Sequence, residues 1–354
     1  MKKRIRLPSS WQHQLPGREL LDFVEMVTLT QPNLDILTSD HPAPDAVHRI
    51  QECLRLMHSK GKLLLPNLSA AETVSIFSDY GGEHKGSRFH SYSFLVCAHA
   101  PDLLQSRMAD IREKNGLNSP FKEISYKTKN YGPVKRAMPE YLAALNSLVI
   151  GGVFTFLVDK KIETLFAPDR KSFSGVAMEA LESIGMQYLQ ADVAEKLFRV
   201  VHFSAYLTSL LANEDQKIFW MTDHDAIAAN SSRHNDLLKA FERVLRLYKP
   251  NGYKLLGGAV PFAEDSAAYL DLLSVPDLVA GATEHFFTNK PHGDESFKVP
   301  AAVDHISKWL AGQGVSLKKH TFMFEKKADG VKASHVEFSL KDRDPEAIYI
   351  ELAF

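Results

Sequence analysis

Thr73-Val-Ser-Ile-Phe-Ser-Asp79-Tyr-Gly-Gly-Glu83 is the stretch from which the rest of the chain can be placed. Its first six residues alternate and are rich in β-branched and aromatic side chains, which reads as a strand. Its last five are a turn signal with two carboxylates, so the strand delivers Asp79 just past its end. Outward from it, Phe89-His-Ser-Tyr-Ser-Phe-Leu-Val-Cys97 reads as a second strand and Ala100–Asn115 as a helix. Phe121-Lys-Glu-Ile-Ser-Tyr126 reads as a third strand, followed by an amphipathic helix over Val134–Leu148 and a strongly apolar buried strand over Val149–Val158.

Two helices are expected within residues 171–212, then the strand Lys217-Ile-Phe-Trp-Met-Thr222, which delivers Asp223-His-Asp225. A helix over Asn235–Leu247 and a strand over Tyr253–Val260 follow. Ser274-Val-Pro-Asp-Leu-Val-Ala-Gly-Ala-Thr283 closes the core as a helix. Pro276 is placed in its first turn, where a missing N–H costs nothing.

The flanks read differently. Residues 1–70 are expected to be an N-terminal helical appendage with one amphipathic helix around Ala46–Lys60. Its stripe of Val47, Ile50, Cys53, Leu54 and Met57 follows three-four spacing and reads as packing surface. Residues 291–354 are expected to be an α+β extension. It would hold a helix over Val299–Leu310, a hairpin of His320–Lys326 and Ala333–Leu340 across Asp329-Gly330, and a terminal edge at Ala347–Leu352. That leaves residues 71–290 as an α/β core with a helical insert at about 165–212.

Composition narrows the classes. The chain has 354 residues, 45% of them hydrophobic, which excludes a disordered or fibrous protein. With 42 Lys+Arg against 43 Asp+Glu, any nucleic-acid affinity has to come from a local patch. Cys53 and Cys97 are too few for a disulfide framework or a Cys-based zinc ribbon. The basic start lacks the apolar run of a signal peptide, and no stretch approaches the ~18 apolar residues of a membrane span. A cytoplasmic protein is expected.

The carboxylates carry the chemistry. Asp79 follows the first core strand, Glu123 lies in the third, Asp223 and Asp225 end a later strand, and Asp277 opens the last core helix. Acidic residues are depleted in strands and rarely buried without partners. A hard divalent cation such as Mg²⁺ or Mn²⁺ takes oxygen ligands and relieves the repulsion among clustered carboxylates. Two such ions ~4 Å apart serve phosphodiester cleavage. Each residue also has a plain structural role open to it: Asp79 as a turn former, Glu123 as a solvent-facing strand residue, Asp223 or Asp225 as helix caps, and Asp277 as a first-turn acid.

The order strand–Asp79, two strands, Lys122-Glu123, helix, apolar strand, strand–Asp223 and an Asp277-Leu-Val-Ala-Gly281 helix resembles a ribonuclease H-like fold. In particular it resembles the domain of unknown function 3800 family, over residues 73–290. That family opens with a strand ending in Asp-Glu-Ser-Gly, carries a Lys/Glu motif near its third strand, and closes with an Ala-Asp-Leu-Ile-Ala-like helix. The resemblance implies a mixed sheet with flanking helices and a metal-dependent nuclease site of Asp79, Glu123, Asp223 or Asp225, and Asp277; of the basic residues beside Glu123, Lys122 is the one expected to face the scissile phosphate. This chain departs from the family in two motifs: the second acid of the first has moved to Glu83, and Pro276 stands where a small residue is usual.

Beside Glu123, Lys122, Lys127, Lys129, Lys135 and Arg136 interleave with Tyr126 and Tyr131. Such a mixture can hold phosphates and stack bases, and it equally suits a solvated loop. The 15 His residues show no zinc spacing, and neither a Gly-rich phosphate loop nor a Gly-x-Ser-x-Gly elbow occurs. Nuclease action on RNA or DNA is therefore the leading expectation. The alternative is an inactive ribonuclease H-like module that binds nucleic acid or a protein partner. Either could belong to a bacterial effector or defence complex, docking through the terminal segments by strand addition. A glycosidase with two carboxylates across a cleft is disfavoured by the basic neighbours.

Overall fold

The strand that begins at Thr73 runs to Gly81, and strands add to it on both sides. The protein is described here from a computed structural model covering residues 5–6, 33–118, 121–186, 190–261, 267–289, 298–340 and 348–351. A two-residue strand β1 (Ile5–Arg6) and helix α1 (Asp45–Ser59) precede β2 (Thr73–Gly81) and β3 (Phe89–Ala98). Helices α2 (Pro101–Asn115) and α3 (Gly132–Leu148) lead to β4 (Gly151–Asp159). Next come α4 (Arg170–Glu182), α5 (Ala191–Leu211), β5 (Lys217–Thr222), α6 (Ser231–Tyr248) and β6 (Leu255–Ala259). The chain continues through α7 (Ala267–Asn289), α8 (Ala301–Leu310), β7 (Gln313–Gly314), β8 (Leu317–Lys327), β9 (Gly330–Val336) and β10 (Ile348–Glu351).

The result is an α/β architecture in which seven strands form one mixed sheet in the order β6-β5-β2-β3-β4-β8-β9. Strands β2, β3 and β4 are antiparallel to their neighbours in turn, whereas β5 and β6 run parallel to β2. A parallel neighbour needs a crossover, and α6 supplies it between β5 and β6. Strand β8 joins β4 in parallel, and β9 returns from it as a hairpin. Among the described residues, β1, β10 and β7 form a second, small parallel sheet.

Side chains alternate across β2, and that alternation sorts the two layers. Val74 and Ile76 enter a core shared with Ile50 of α1, Phe203 and Tyr206 of α5 and Phe241 of α6. Phe77 enters the opposite core with Met108 of α2, Tyr141 of α3, Leu278 of α7 and Ile306 of α8. Asp79 follows Phe77 by two, so it falls on the α7 face, while Tyr80 packs on the α5 face. Covered from both sides, β4 is buried at every residue.

Several expectations are met closely. β5 spans the expected residues, the stripe of α1 is packing surface with Val47, Ile50, Leu54 and Met57 buried, and the hairpin turns at Asp329-Gly330. Others are corrected. Asp79 lies inside β2, paired with Ser93, and not beyond its end. No strand forms over 121–126. Its polar groups bond locally: Lys122 N–H donates to Leu117 O at 3.0 Å, and the Thr128 hydroxyl donates to Glu123 O at 3.0 Å.

Pro276 and Asp277 sit mid-helix, since α7 begins at Ala267. The interior proline costs about 3 kcal/mol. Leu270, Leu272, Leu273, Val275, Leu278 and Val279 are all buried along that helix, at about 1.5–3 kcal/mol each, so burial outweighs it. The segment read as a C-terminal extension supplies β8 and β9 to the core sheet. Of the N-terminal appendage, residues 1–4 and 7–32 lie outside the described residues, as do 347 and 352 of the terminal edge.

Gly151 shows how tightly the sheet centre is packed. A Cβ there would fall 2.6 Å from both the Cys97 Cβ and the Val96 carbonyl oxygen. Gly151→Ala is expected to destabilise the fold by about 1–3 kcal/mol, read as a lower urea midpoint.

Candidate functional site

Parallel pairing of β2 with β5 brings their C-terminal ends side by side. The pairing runs one residue past β5, where Asp223 N–H donates to Ser78 O at 3.2 Å. Asp79 and Asp223 thus leave adjacent strands at the same end of the sheet. The middle of α7 passes over this end, with Ala280 against Gly81, and contributes Asp277. The fourth acid, Glu123, comes from the loop between α2 and α3.

These four side chains are partly exposed, neither sealed in the core nor free in solvent. Burial first, then the charges of Asp277 and Asp223, push the Asp79 carboxyl well above its ordinary value. Asp277 is also raised, chiefly by burial; its bond from Tyr126 N–H and a hydrogen bond shared with Asp79 pull the other way. Burial and the charges of Asp277 and Asp223 raise Glu123 as well, while Lys127 and Arg112 oppose them. The donor set is oxygen only and repels itself, which fits a hard divalent cation. Among the described residues, no three His, Cys, Asp or Glu side chains are already drawn in around one metal position. The mutual repulsion by which Asp277 and Asp223 raise Asp79 is what a cation placed there would relieve.

The Glu123 loop is pinned at both ends. The Arg112 guanidinium donates to Lys122 O at 2.8 Å on one side, and Tyr126 N–H donates to the Asp277 carboxylate at 2.6 Å on the other. The Tyr126 ring lies on α7 where Gly281 leaves room: a Cβ on Gly281 would come within 2.3 Å of it. Here the Asp-Leu-Val-Ala-Gly spacing has its physical cause, because Gly281 is one helical turn beyond Asp277 and both face the loop.

The remaining candidates divide. Asp225 does not join the four: its carboxylate caps Ile227 N–H at 2.9 Å and pairs with Lys196 at 2.7 Å. Lys196 also binds Glu83 and lies over the Tyr80 ring on the α5 face, so the displaced acid of the first motif is occupied there. Lys129 is engaged with Tyr126, its ammonium 3.6 Å from the ring centroid and 3.1 Å from the carbonyl oxygen. Lys122, Lys127, Tyr131, Lys135 and Arg136 are exposed along the loop and the start of α3. Sequence reasoning passed over Arg112, Lys196 and Asp271. The available signal was Asp271 itself, a carboxylate inside the apolar run Tyr269-Leu-Asp-Leu-Leu273.

Compared with known proteins, the chain matches no family model and shows no significant similarity to a curated protein. Among the described residues, no helix is long and apolar enough to cross a membrane.

Two predictions follow from the geometry. Raised carboxyl pKa values mean the fold prefers the protonated forms, so it loses stability as pH climbs above the ordinary carboxylate range. Asp79→Asn is expected to raise stability by ~1 kcal/mol at neutral pH, with the gain shrinking toward pH 4, in paired melts at the two pH values. Gly281→Ala should displace Tyr126 and with it the Glu123 loop. Amide exchange over residues 122–128 is expected to quicken while that of β2 and β3 stays unchanged.

Proposed function

We propose that this protein is a divalent-metal-dependent nuclease of the ribonuclease H-like class, hydrolysing phosphodiester bonds in RNA or DNA. One observation carries the reading. Four carboxylates from a strand, a strand end, a loop and a helix meet at one end of the sheet, where the charges of Asp223 and Asp277 raise the proton affinity of Asp79 and Glu123, and that of Asp223 raises Asp277. Such an arrangement costs stability, and structural salt bridges do not explain it: among the described residues none of the four forms an ion pair. The mixed sheet with helices on both faces agrees with the resemblance drawn from the motif order.

In this reading Asp79, Glu123, Asp223 and Asp277 hold Mg²⁺ or Mn²⁺. The bound ions supply charge neutralisation at the phosphate and activation of the attacking water. The protein's own part is to present the Asp79 and Asp277 carboxylates together; with a cation bound, a proton held on Asp79 would leave to solvent, so that both serve as acceptors. Arg112 keeps Glu123 facing the other three acids, and exposed Lys127 stands beside them to offset charge that develops on the phosphate. Tyr131, Lys135 and Arg136 extend the surface along which a nucleic acid would lie, through stacking and phosphate contacts.

The test compares the protein with Asp79→Ala/Asp223→Ala on labelled RNA, single-stranded DNA and duplex DNA, with Mn²⁺, Mg²⁺ or EDTA. Cleavage is expected with metal, absent with EDTA, and lowered at least about 100-fold in the folded variant. Cleavage unaffected by the two substitutions refutes the site. Binding without cleavage, indifferent to metal, favours an inactive recognition module instead.

A further inference from the structure

Arg112 is 3% exposed, and its three nitrogens are committed to two partners. Nη2 pairs with Asp271 Oδ1, Nε lies 3.4 Å from Asp271 Oδ2, and Nη1 donates to the carbonyl of Lys122 at 2.8 Å. Its guanidinium also lies over the Phe121 ring, 4.3 Å from the centroid. One side chain from α2 therefore binds α7 and the Glu123 loop together. Asp271 precedes Asp277 by six residues on the same helix, about 9 Å along its axis.

Glu123 is thereby suspended between two ties, Arg112 to Lys122 before it and Asp277 to Tyr126 after it. The second tie uses a carboxylate that a cation would claim. The first uses none of the four acids and persists whatever they bind. We propose that Arg112 is the positioning residue of the acidic cluster, holding Glu123 at the distance from α7 that lets it share a cation with Asp277. The proposal rests on the metal-dependent reading of the site. A planar fork suits this task and an ammonium does not, because Lys cannot address a carboxylate and a carbonyl in fixed geometry at once. The Arg112 charge also favours the ionised form of Glu123, against burial and the neighbouring acids.

The experiment measures Mn²⁺ affinity by electron paramagnetic resonance, which needs no turnover. It uses the full chain as wild type, Arg112→Lys, Phe121→Ala and Glu123→Gln, together with Arg112→Lys/Glu123→Gln and Phe121→Ala/Glu123→Gln. Arg112→Lys and Glu123→Gln are each expected to weaken Mn²⁺ binding about tenfold, and the double variant no more than Glu123→Gln alone. Phe121→Ala, a change at a partly exposed loop residue, should weaken it about threefold and likewise lose its effect beside Glu123→Gln. If Arg112→Lys does not fold, the Phe121 cycle decides the matter alone. Losses that add in the Glu123→Gln background, or a folded Arg112→Lys with wild-type affinity, overturn the positioning role and leave the metal reading standing. A wild-type protein that binds no Mn²⁺ overturns both.

Discussion

Repulsion among carboxylates that protein has partly enclosed is the constraint around which this end of the molecule is arranged. Asp79, Asp277 and Glu123 all hold protons more tightly than free carboxylates, and in each case burial is the largest cause. Folding brings them together nonetheless, because the elements that carry them are secured elsewhere. Phe77 fixes β2, Leu278 and Val279 fix α7, and Ile124 anchors the loop, all in one apolar core. The acids occupy the edge of that core without holding it together.

Cations are placed to support the cluster and not to neutralise it by contact. Arg112 places its charge on Asp271, about 1.7 helical turns before Asp277. Lys196 spends its charge on Glu83 and Asp225, on the opposite face of the sheet. Both pairs brace segments that present an acid: Arg112 the loop of Glu123, and Lys196 the turn that follows Asp223. A buried pair such as Arg112–Asp271 adds little net stability but fixes the geometry of the segments it joins.

Much of this was legible in the chain. The alternation before Asp79, the apolar run of β4, and the strand ending at Thr222 each carry period-2 signals strong enough to place them within a few residues. Glu123 reads from the sequence as a strand residue, and the structure places it in a loop. Its segment has strand-like composition, but Arg112 and Thr128 take its main-chain carbonyls, and neither partner lies within the segment itself. Pro276 misled in the same way. As a local signal it marks a helix start, and only the burial of Leu270, Leu272 and Leu273 before it makes a helix interior affordable.

By itself, then, the sequence determined the α/β class, most element positions, and the list of acids from which a site could be drawn. Those are properties of periodicity and residue type, which act over a few residues. Tertiary structure alone decided which acids meet. Asp223 and Asp225 differ by two positions, yet one faces Asp79 and the other faces Lys196, because the turn after β5 directs them to different neighbours. It also decided that Asp79 and Asp277, far apart in the chain, lie near enough for the charge of Asp277 to raise the Asp79 carboxyl. Parallel pairing of β2 with β5 and the passage of α7 across their ends create that contact, and no local pattern encodes either.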